Sequence, residues 1–172
     1  AKAWPQLKTL AELLAAPVTT SLGGKSAFPE DHSLSLGSCG LAIPSNVRRH
    51  LDDADLIFGI GCSFTRTSFG TPMPLNTPIV HATLDPMHIN KDIAVTLGLV
   101  GDAGLTLDAL IPEVGALIDN TRDQGPVASK ITRLSEEWLS EWKPLRDSDE
   151  VPLSPYRVLR DLETTVDKAK TI

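Results

Sequence analysis

The sequence predicts an α/β fold, a doubly wound and mostly parallel sheet with helices on both faces. Three short, almost wholly apolar runs support this prediction, because a strand that is covered on both faces is apolar along its whole length. Helical stripes, with apolar residues three and four positions apart, lie before and after these runs. The three runs are ADLIFGIG (54–61), TPIVHATLD (77–85) and VTLGLVGD (95–102).

The first 40 residues are predicted to form a helix, a strand and a loop. Apolar residues between positions 4 and 14 recur at helical spacing. Residues 16–21 are short and β-branched and are followed by Gly23–Gly24, which is typical of a strand that enters a turn. Residues 25–40 show neither period and are predicted to be a loop.

Four further helices are expected along the rest of the chain. Ser45 is a suitable N-cap for a short helix before the first apolar run. A helical stripe extends over 107–118 and is interrupted at Pro112, and after Gly125–Pro126 a second stripe carries the tryptophans of the chain's second half. Residues 143–155 are predicted to be a polar linker.

The linker ends in the pair Ser154–Pro155, which suits the N-cap and first position of a last helix.

Composition excludes several function classes. The 172 residues exceed a prior of about 150 residues per domain only slightly, so one domain and little more is expected. Sixteen basic and 22 acidic residues give a net charge of −6 without a basic cluster, which argues against a nucleic-acid partner. No apolar run has the length of a membrane span, and no secretory signal is visible. We therefore expect a cytoplasmic protein with free thiols at Cys39 and Cys62.

Because Ala1 already lies in a helical pattern, the sequence suggests a piece of a longer protein.

Common catalytic and nucleotide motifs are incomplete. A G-x-G-x-x-G fingerprint that begins at Gly59 needs a third glycine at position 64, which is Phe64. A nucleophile elbow, G-x-S-x-G, lacks its second glycine at Thr65. The four histidines form no zinc-binding pattern, and a metal shared by Asp85 and His88 is less expected than a surface turn. No catalytic set is visible.

Four strand ends remain as candidate ligand sites. Ligands of open α/β sheets bind beyond the carboxyl ends of the strands. The predicted strand ends are rich in small and polar residues, which let a ligand approach the backbone. They are 21–24, 61–66, 83–85 and 101–103.

Three stretches, in the same order, resemble the central domain of thiamine-diphosphate-dependent enzymes, the acetolactate synthase-like family. They are LAELLAAPVTTSLGGKSAFPEDHSLSLGSCG (10–40), LDDADLIFGIGCSF (51–64) and IVHATLDPMHINKDIAVTLGLVGDAGLTLDAL (79–110). The resemblance spans about residues 4–112. It implies a Rossmann-like, DHS-like nucleotide-binding domain whose first strand is missing here.

The resemblance also implies a domain organisation. Residues 1–125 would be the central domain, 126–153 an exit helix with its linker, and 154–172 the first helix of a following pyrophosphate-binding domain. The parent would be a decarboxylase or carboligase, a lyase or transferase, and a homo-oligomer. Its thiamine diphosphate and Mg²⁺ would bind the other domains, so this domain would be non-catalytic.

In several members of that family the central domain binds FAD or ADP, which implies cofactor contacts in this chain. The sequence departs from the family at Ser63, where an arginine would pair with phosphates, and at Thr83, where an acid would bind a ribose. Arg66 offers a positive charge three residues after Ser63. The implied contacts are Ser21, Leu22, Gly61, Ser63, Thr83, Leu84, Asp102 and Ala103.

Two alternatives stay open on the sequence. One is a freestanding nucleotide-binding or dehydrogenase module, against which the failed glycine fingerprint argues. The other is a scaffold domain whose pocket is degenerate and empty.

Overall fold

The structure is a computed structural model that describes residues 2–40, 42–68 and 70–167. The chain combines parallel strands with helices, and the predicted α/β class is confirmed. The helices are α1 (Trp4–Leu14), α2 (Ser45–Asp52), α3 (Ala103–Leu117), α4 (Gly125–Arg146) and α5 (Pro155–Thr165). The strands are β1 (Val18–Ser21), β2 (Ser35–Cys39), β3 (Ile57–Ile60), β4 (Ile79–Thr83) and β5 (Leu97–Val100).

All strand pairs in the described part of the chain are parallel. The strands form two ladders, one of β1 and β2 and one in the order β3-β4-β5. In the three-stranded ladder, Gly59 on β3 pairs with His81 on β4, and His81 pairs with Gly98 on β5. The three apolar runs in the sequence are therefore the three neighbouring strands of one sheet.

Strand β2 corrects the loop predicted over 25–40. Its sequence, SLGSC, has no apolar alternation, and its register against β1 shifts between Val18 and Thr19. Gly37 has a φ of 77°, and the Thr19 hydroxyl donates to its carbonyl oxygen at 3.0 Å. Pairing with β1 thus makes a strand from residues whose own pattern indicates none.

Two helices extend further than their sequence patterns predict. Helix α3 continues through Pro112, and α4 includes Pro144 and ends at Arg146. The predicted linker over 143–155 is therefore helical at its start. Ser45 is the first helical residue of α2 and not its N-cap, whereas Ser154 does stand at the N-cap of α5.

The core of the first part of the chain includes two apolar clusters. One joins β2, α2 and the first turns of α4, and the other joins α1 to the loop that precedes β2. Phe28 belongs to this second cluster and is 2% exposed. The buried members are Leu36, Cys39, Val47, Leu51 and Ile131 in the first cluster, and Ala11, Phe28 and Leu34 in the second.

A polar contact holds the same loop to α1. His32 Nε2 lies 3.0 Å from Glu12 Oε1, and His32 Nδ1 accepts a hydrogen bond from Leu34 N at 3.1 Å. The Nε2 atom therefore carries the ring hydrogen and donates it to the carboxylate. Hydrogen bonds from Lys8 and then His32 lower the pKa of the Glu12 carboxyl below its ordinary value.

The chain divides into two compact units, residues 1–132 and 133–172. In the second unit, Arg157 binds Asp161 and Asp149, and the Trp142 and Tyr156 rings lie 5.2 Å apart between centroids. None of the helices in the described ranges has the length and apolar character needed to span a bilayer.

Candidate functional site

The carboxyl ends of β3, β4 and β5 lie along one edge of their sheet. Gly61 N donates to Ala82 O at 2.9 Å, and Gly101 N donates to Thr83 O at 3.0 Å. These bonds extend the parallel ladder by one residue beyond each strand. The structure thus brings Gly61, Thr83 and Asp102 to neighbouring positions at one sheet edge, where open α/β sheets bind ligands.

Two predicted site residues belong to the other ladder. Ser21 ends β1, and its hydroxyl accepts a hydrogen bond from Gly24 N at 3.1 Å. Leu22 begins the short 3-10 turn that follows and is 66% exposed. Ser21 therefore caps its own turn, and Leu22 leaves an apolar side chain on the surface.

The turn after β3 carries Gly61 and Ser63. Gly61 has a φ of 66° and Phe64 a φ of 48°, so both ends of the turn are in the left-handed region. Ser63 Oγ accepts a hydrogen bond from Thr65 N at 3.3 Å. Arg66, which is exposed, is tied through its backbone N to Asp92 Oδ2 at 2.9 Å. The backbone of this turn is therefore its main polar surface.

Thr83 ends β4 as a buried hydroxyl, 5% exposed. Its Oγ1 accepts a hydrogen bond from Asp85 N at 3.3 Å and lies 3.4 Å from His88 Nδ1. Leu84, the next residue, is 74% exposed. Asp85 caps the 3-10 turn at Pro86–His88, which is the surface turn expected for this segment. The strand end thus presents an apolar side chain, and Asp85 follows it in the chain.

Asp102 caps helix α3, whose first residue is Ala103. Asp102 Oδ1 accepts hydrogen bonds from Gly104 N at 2.8 Å and from Leu105 N at 3.2 Å. Amides of the first helical turn bind phosphate in many nucleotide sites. Here the Asp102 carboxylate already accepts hydrogen bonds from two of these amides. A nucleotide at this edge would therefore contact the Asp102 side chain before it reached those amides.

Removing this cap is expected to weaken the fold. We expect Asp102→Ala to lower the free energy of unfolding by about 1 kcal/mol, because two amides at the start of α3 lose their acceptor. Asp102→Asn keeps an oxygen acceptor and should lose only a few tenths of a kcal/mol. Urea unfolding of both variants checks this. Equal losses of stability in the two variants would show that Asp102 does not stabilise the fold by capping α3.

Sequence reasoning missed one buried residue next to the site. His81 on β4 is 0% exposed, and its Nε2 lies 2.8 Å from Cys62 O. Its ring meets the Phe64 ring edge to face, with centroids 4.9 Å apart and planes at 78°. The sequence signal that could have indicated this residue is a pair of glycines, Gly59 on β3 and Gly98 on β5. Both pair with His81 on the strand between them.

Neither cysteine forms a disulfide. Burial raises the pKa of the Cys62 thiol, so its thiolate is disfavoured, and Cys39 lies in the core. Among residues 2–40, 42–68 and 70–167, no three His, Cys, Asp or Glu side chains are placed to share a metal ion. What the described residues offer a ligand at the sheet edge is therefore the shape of the surface and the polar groups of the backbone.

Two curated relatives of this chain are much longer than it. It is 30% identical to a probable acetolactate synthase large subunit of Methanococcus aeolicus over 167 residues, 94% of this chain and 28% of that protein. It is 32% identical to a probable 2-ketoarginine decarboxylase of Pseudomonas aeruginosa over 141 residues, 81% of this chain and 24% of that protein. The chain thus spans about a quarter of the length of these relatives.

A solved structure and a family description agree with these relatives. A putative thiamin diphosphate-dependent enzyme from Mycobacterium smegmatis superposes with a TM-score of 0.55 at 31% identity, covering 72% of this chain and 24% of that one. The family described as thiamine pyrophosphate enzyme, central domain, matches residues 1–110. Since this match covers well over half of the 172 residues, the chain belongs to the thiamine pyrophosphate enzyme family and carries its central domain.

Proposed function

We propose that the chain acts as the central, non-catalytic domain of a thiamine-diphosphate-dependent decarboxylase or carboligase that resembles acetolactate synthase. The observation that carries this proposal is the family match over residues 1–110, together with relatives of which the chain covers about a quarter. Those relatives are named as a synthase and a decarboxylase.

The organisation we propose follows the sequence. Residues 1–125 form the central domain, 126–153 the exit helix and linker, and 154–172 the first helix of a pyrophosphate-binding domain. The enzyme would be a cytoplasmic homo-oligomer. The coding sequence that flanks these residues tests this part directly. A Gly-Asp-Gly…Asn pattern downstream would support it, and a reading frame without that pattern would contradict it.

We also propose that the sheet edge binds an adenine nucleotide, FAD or ADP. Support comes from the neighbouring placement of Gly61, Thr83 and Asp102 and from apolar side chains beside the strand ends. Leu84 and Leu105 are 74% and 72% exposed. Apolar surface at a strand end is the kind that a flat aromatic base covers. The contacts proposed are Ser21, Leu22, Gly61, Ser63, Thr83, Leu84, Asp102 and Ala103.

The nucleotide in this proposal has a structural role. Ser63 and Thr83 supply no charge, and the Thr83 hydroxyl already contacts Asp85 and His88 within the protein. A neutral donor forms a weaker bond to phosphate than an arginine does. We therefore expect ADP and FAD to bind and to stabilise the domain, with no chemistry on the flavin.

A thermal-shift screen with ADP, FAD, NAD and coenzyme A tests the nucleotide site. A ligand present at 100 times its dissociation constant should add about 2.7 kcal/mol to the free energy of unfolding. We expect ADP and FAD to stabilise the chain. Stabilisation by NAD with hydride transfer would favour a dehydrogenase module, and stabilisation by none of the four would favour an empty scaffold.

Gly61→Ala supplies the matched variant for this screen. A β-carbon at Gly61 has nothing within 4 Å, but the φ of 66° strains any side chain there. The substitution should shift the turn without creating a clash, so the gain from ADP should fall. If ADP stabilises Gly61→Ala as much as it stabilises the wild-type chain, the ligand binds away from this turn.

A further inference from the structure

Three residues in register form a trough on one face of the sheet. Gly59, His81 and Gly98 sit side by side on β3, β4 and β5. A β-carbon on Gly59 would lie 2.2 Å from Phe64 Cε2, and one on Gly98 would lie 2.9 Å from Ile89 Cγ2. The two glycines therefore admit Phe64 and Ile89 against the sheet on either side of His81, which is fully buried.

The buried imidazole makes one hydrogen bond, and that bond reaches the turn after β3. His81 Nε2 lies 2.8 Å from Cys62 O. A carbonyl oxygen only accepts, so Nε2 carries the hydrogen and donates it. His81 Nδ1 has no hydrogen-bond partner in the described part of the chain. The hydrogen bond of the His81 side chain is therefore made to one peptide unit, Cys62–Ser63.

That peptide unit has two opposite polar ends. The Cys62–Ser63 bond is trans, since the described residues contain a cis bond at Val151–Pro152 alone. In a trans peptide the C=O and N–H point in opposite directions. With Cys62 O turned toward His81, Ser63 N–H is turned away from the buried face, and it has no hydrogen-bond partner among the described residues.

No helix or sheet ladder holds this peptide. Gly61 and Phe64, on either side of it, are in the left-handed region, and the Ser63 hydroxyl is used within the turn as an acceptor for Thr65 N. The hydrogen bond from His81 is the one that the structure shows for Cys62 O. That bond therefore determines which way Ser63 N–H faces.

We propose that His81 is a positioning residue of the nucleotide site, which holds Cys62 O inward so that Ser63 N–H donates to a phosphate oxygen of the bound nucleotide. The inference rests on the proposed nucleotide site at this sheet edge. A backbone N–H is a common phosphate ligand where no arginine is present. It would let this turn contact a phosphate even though position 63 is a serine.

Two substitutions at His81 and one control test the proposal, with ADP and adenosine as probes in titration calorimetry. His81→Leu keeps the apolar bulk and removes the donor, so ADP should bind about 10-fold more weakly while adenosine binding stays unchanged. His81→Gln keeps an N–H donor and should recover most of the ADP affinity. Val47→Ala, in the core of α2 and 0% exposed, destabilises the fold without touching the turn and should leave both affinities unchanged.

Amide resonances of the ligand-free chain provide a second readout. In His81→Leu we expect the Cys62, Ser63 and Phe64 amide signals to move or broaden, and in His81→Gln we expect them to return toward the wild-type positions. An unchanged turn in His81→Leu, or equal losses of ADP and adenosine affinity, would overturn the role of His81. A wild-type chain that binds neither ADP nor FAD would overturn the proposed nucleotide site, and the phosphate contact with it.

Discussion

Replacing Gly59 with alanine is expected to lower the free energy of unfolding by about 3 kcal/mol, because the sheet has no room for another carbon there. The new β-carbon would lie 2.2 Å from Phe64 Cε2, 2.3 Å from Phe64 Cζ and 3.0 Å from Cys62 Sγ. The Phe64 ring cannot move freely, since its other side meets the buried His81 ring and its backbone is already left-handed.

Equilibrium unfolding in urea measures this loss, and Gly115→Ala is the matched control. Gly115 lies in α3 with nothing within 4 Å of a β-carbon, so alanine should raise stability there by about 0.5–1 kcal/mol. Adding Phe64→Leu to Gly59→Ala should restore part of the loss by removing the ring that clashes. A Gly59→Ala chain as stable as wild type would show that the trough is not packed as described.

Replacing Phe28 with alanine is expected to cost about 3–5 kcal/mol, the range for a large buried aromatic side chain. Phe28 is 2% exposed, clusters with Ala11 and Leu34, and meets the His32 ring at a centroid distance of 5.1 Å. Its removal would leave a cavity between α1 and the loop before β2, and the α1 contact to that loop through His32 should weaken with it.

The exposed Leu75 provides the control for Phe28. It is 91% exposed, so Leu75→Ala should change the free energy of unfolding by less than about 0.5 kcal/mol. Urea unfolding of the two variants gives the comparison. A loss below about 1 kcal/mol for Phe28→Ala would mean that Phe28 and its loop are not packed into the core as described.

The strands β3, β4 and β5 were predictable as strands, because each is a continuous apolar run. Burial on both faces was predicted for all three, but only β4 is mostly buried, and β5 is largely exposed. The strand β2 was not predictable. Its serines and Gly37 show no period, and its existence depends on hydrogen bonds to β1 across a shifted register. Phe28 was missed for the same reason, since a core residue in a loop belongs to no periodic stripe and is recognised only from what it contacts.

The site was predictable as a position and not as a set of interactions. Gly61, Thr83 and Asp102 follow three predicted parallel strands, so their common edge follows from topology. That the Asp102 carboxylate is used as a helix cap depends on side-chain geometry, which one sequence does not contain. The contact of His81 with Cys62 joins two residues that are 19 positions apart in the sequence, and only the fold brings them together.

A two-dimensional NMR titration of the ¹⁵N-labelled chain with ADP is the sharpest test of a nucleotide site at the sheet edge, because it locates the bound ligand as well as detecting binding. We expect shift changes at the amides of Gly61, Ser63, Leu84 and Ala103, and none in the second unit, residues 133–172. Millimolar ADP that moves no signals, or that moves only signals away from the carboxyl ends of the strands, would contradict it.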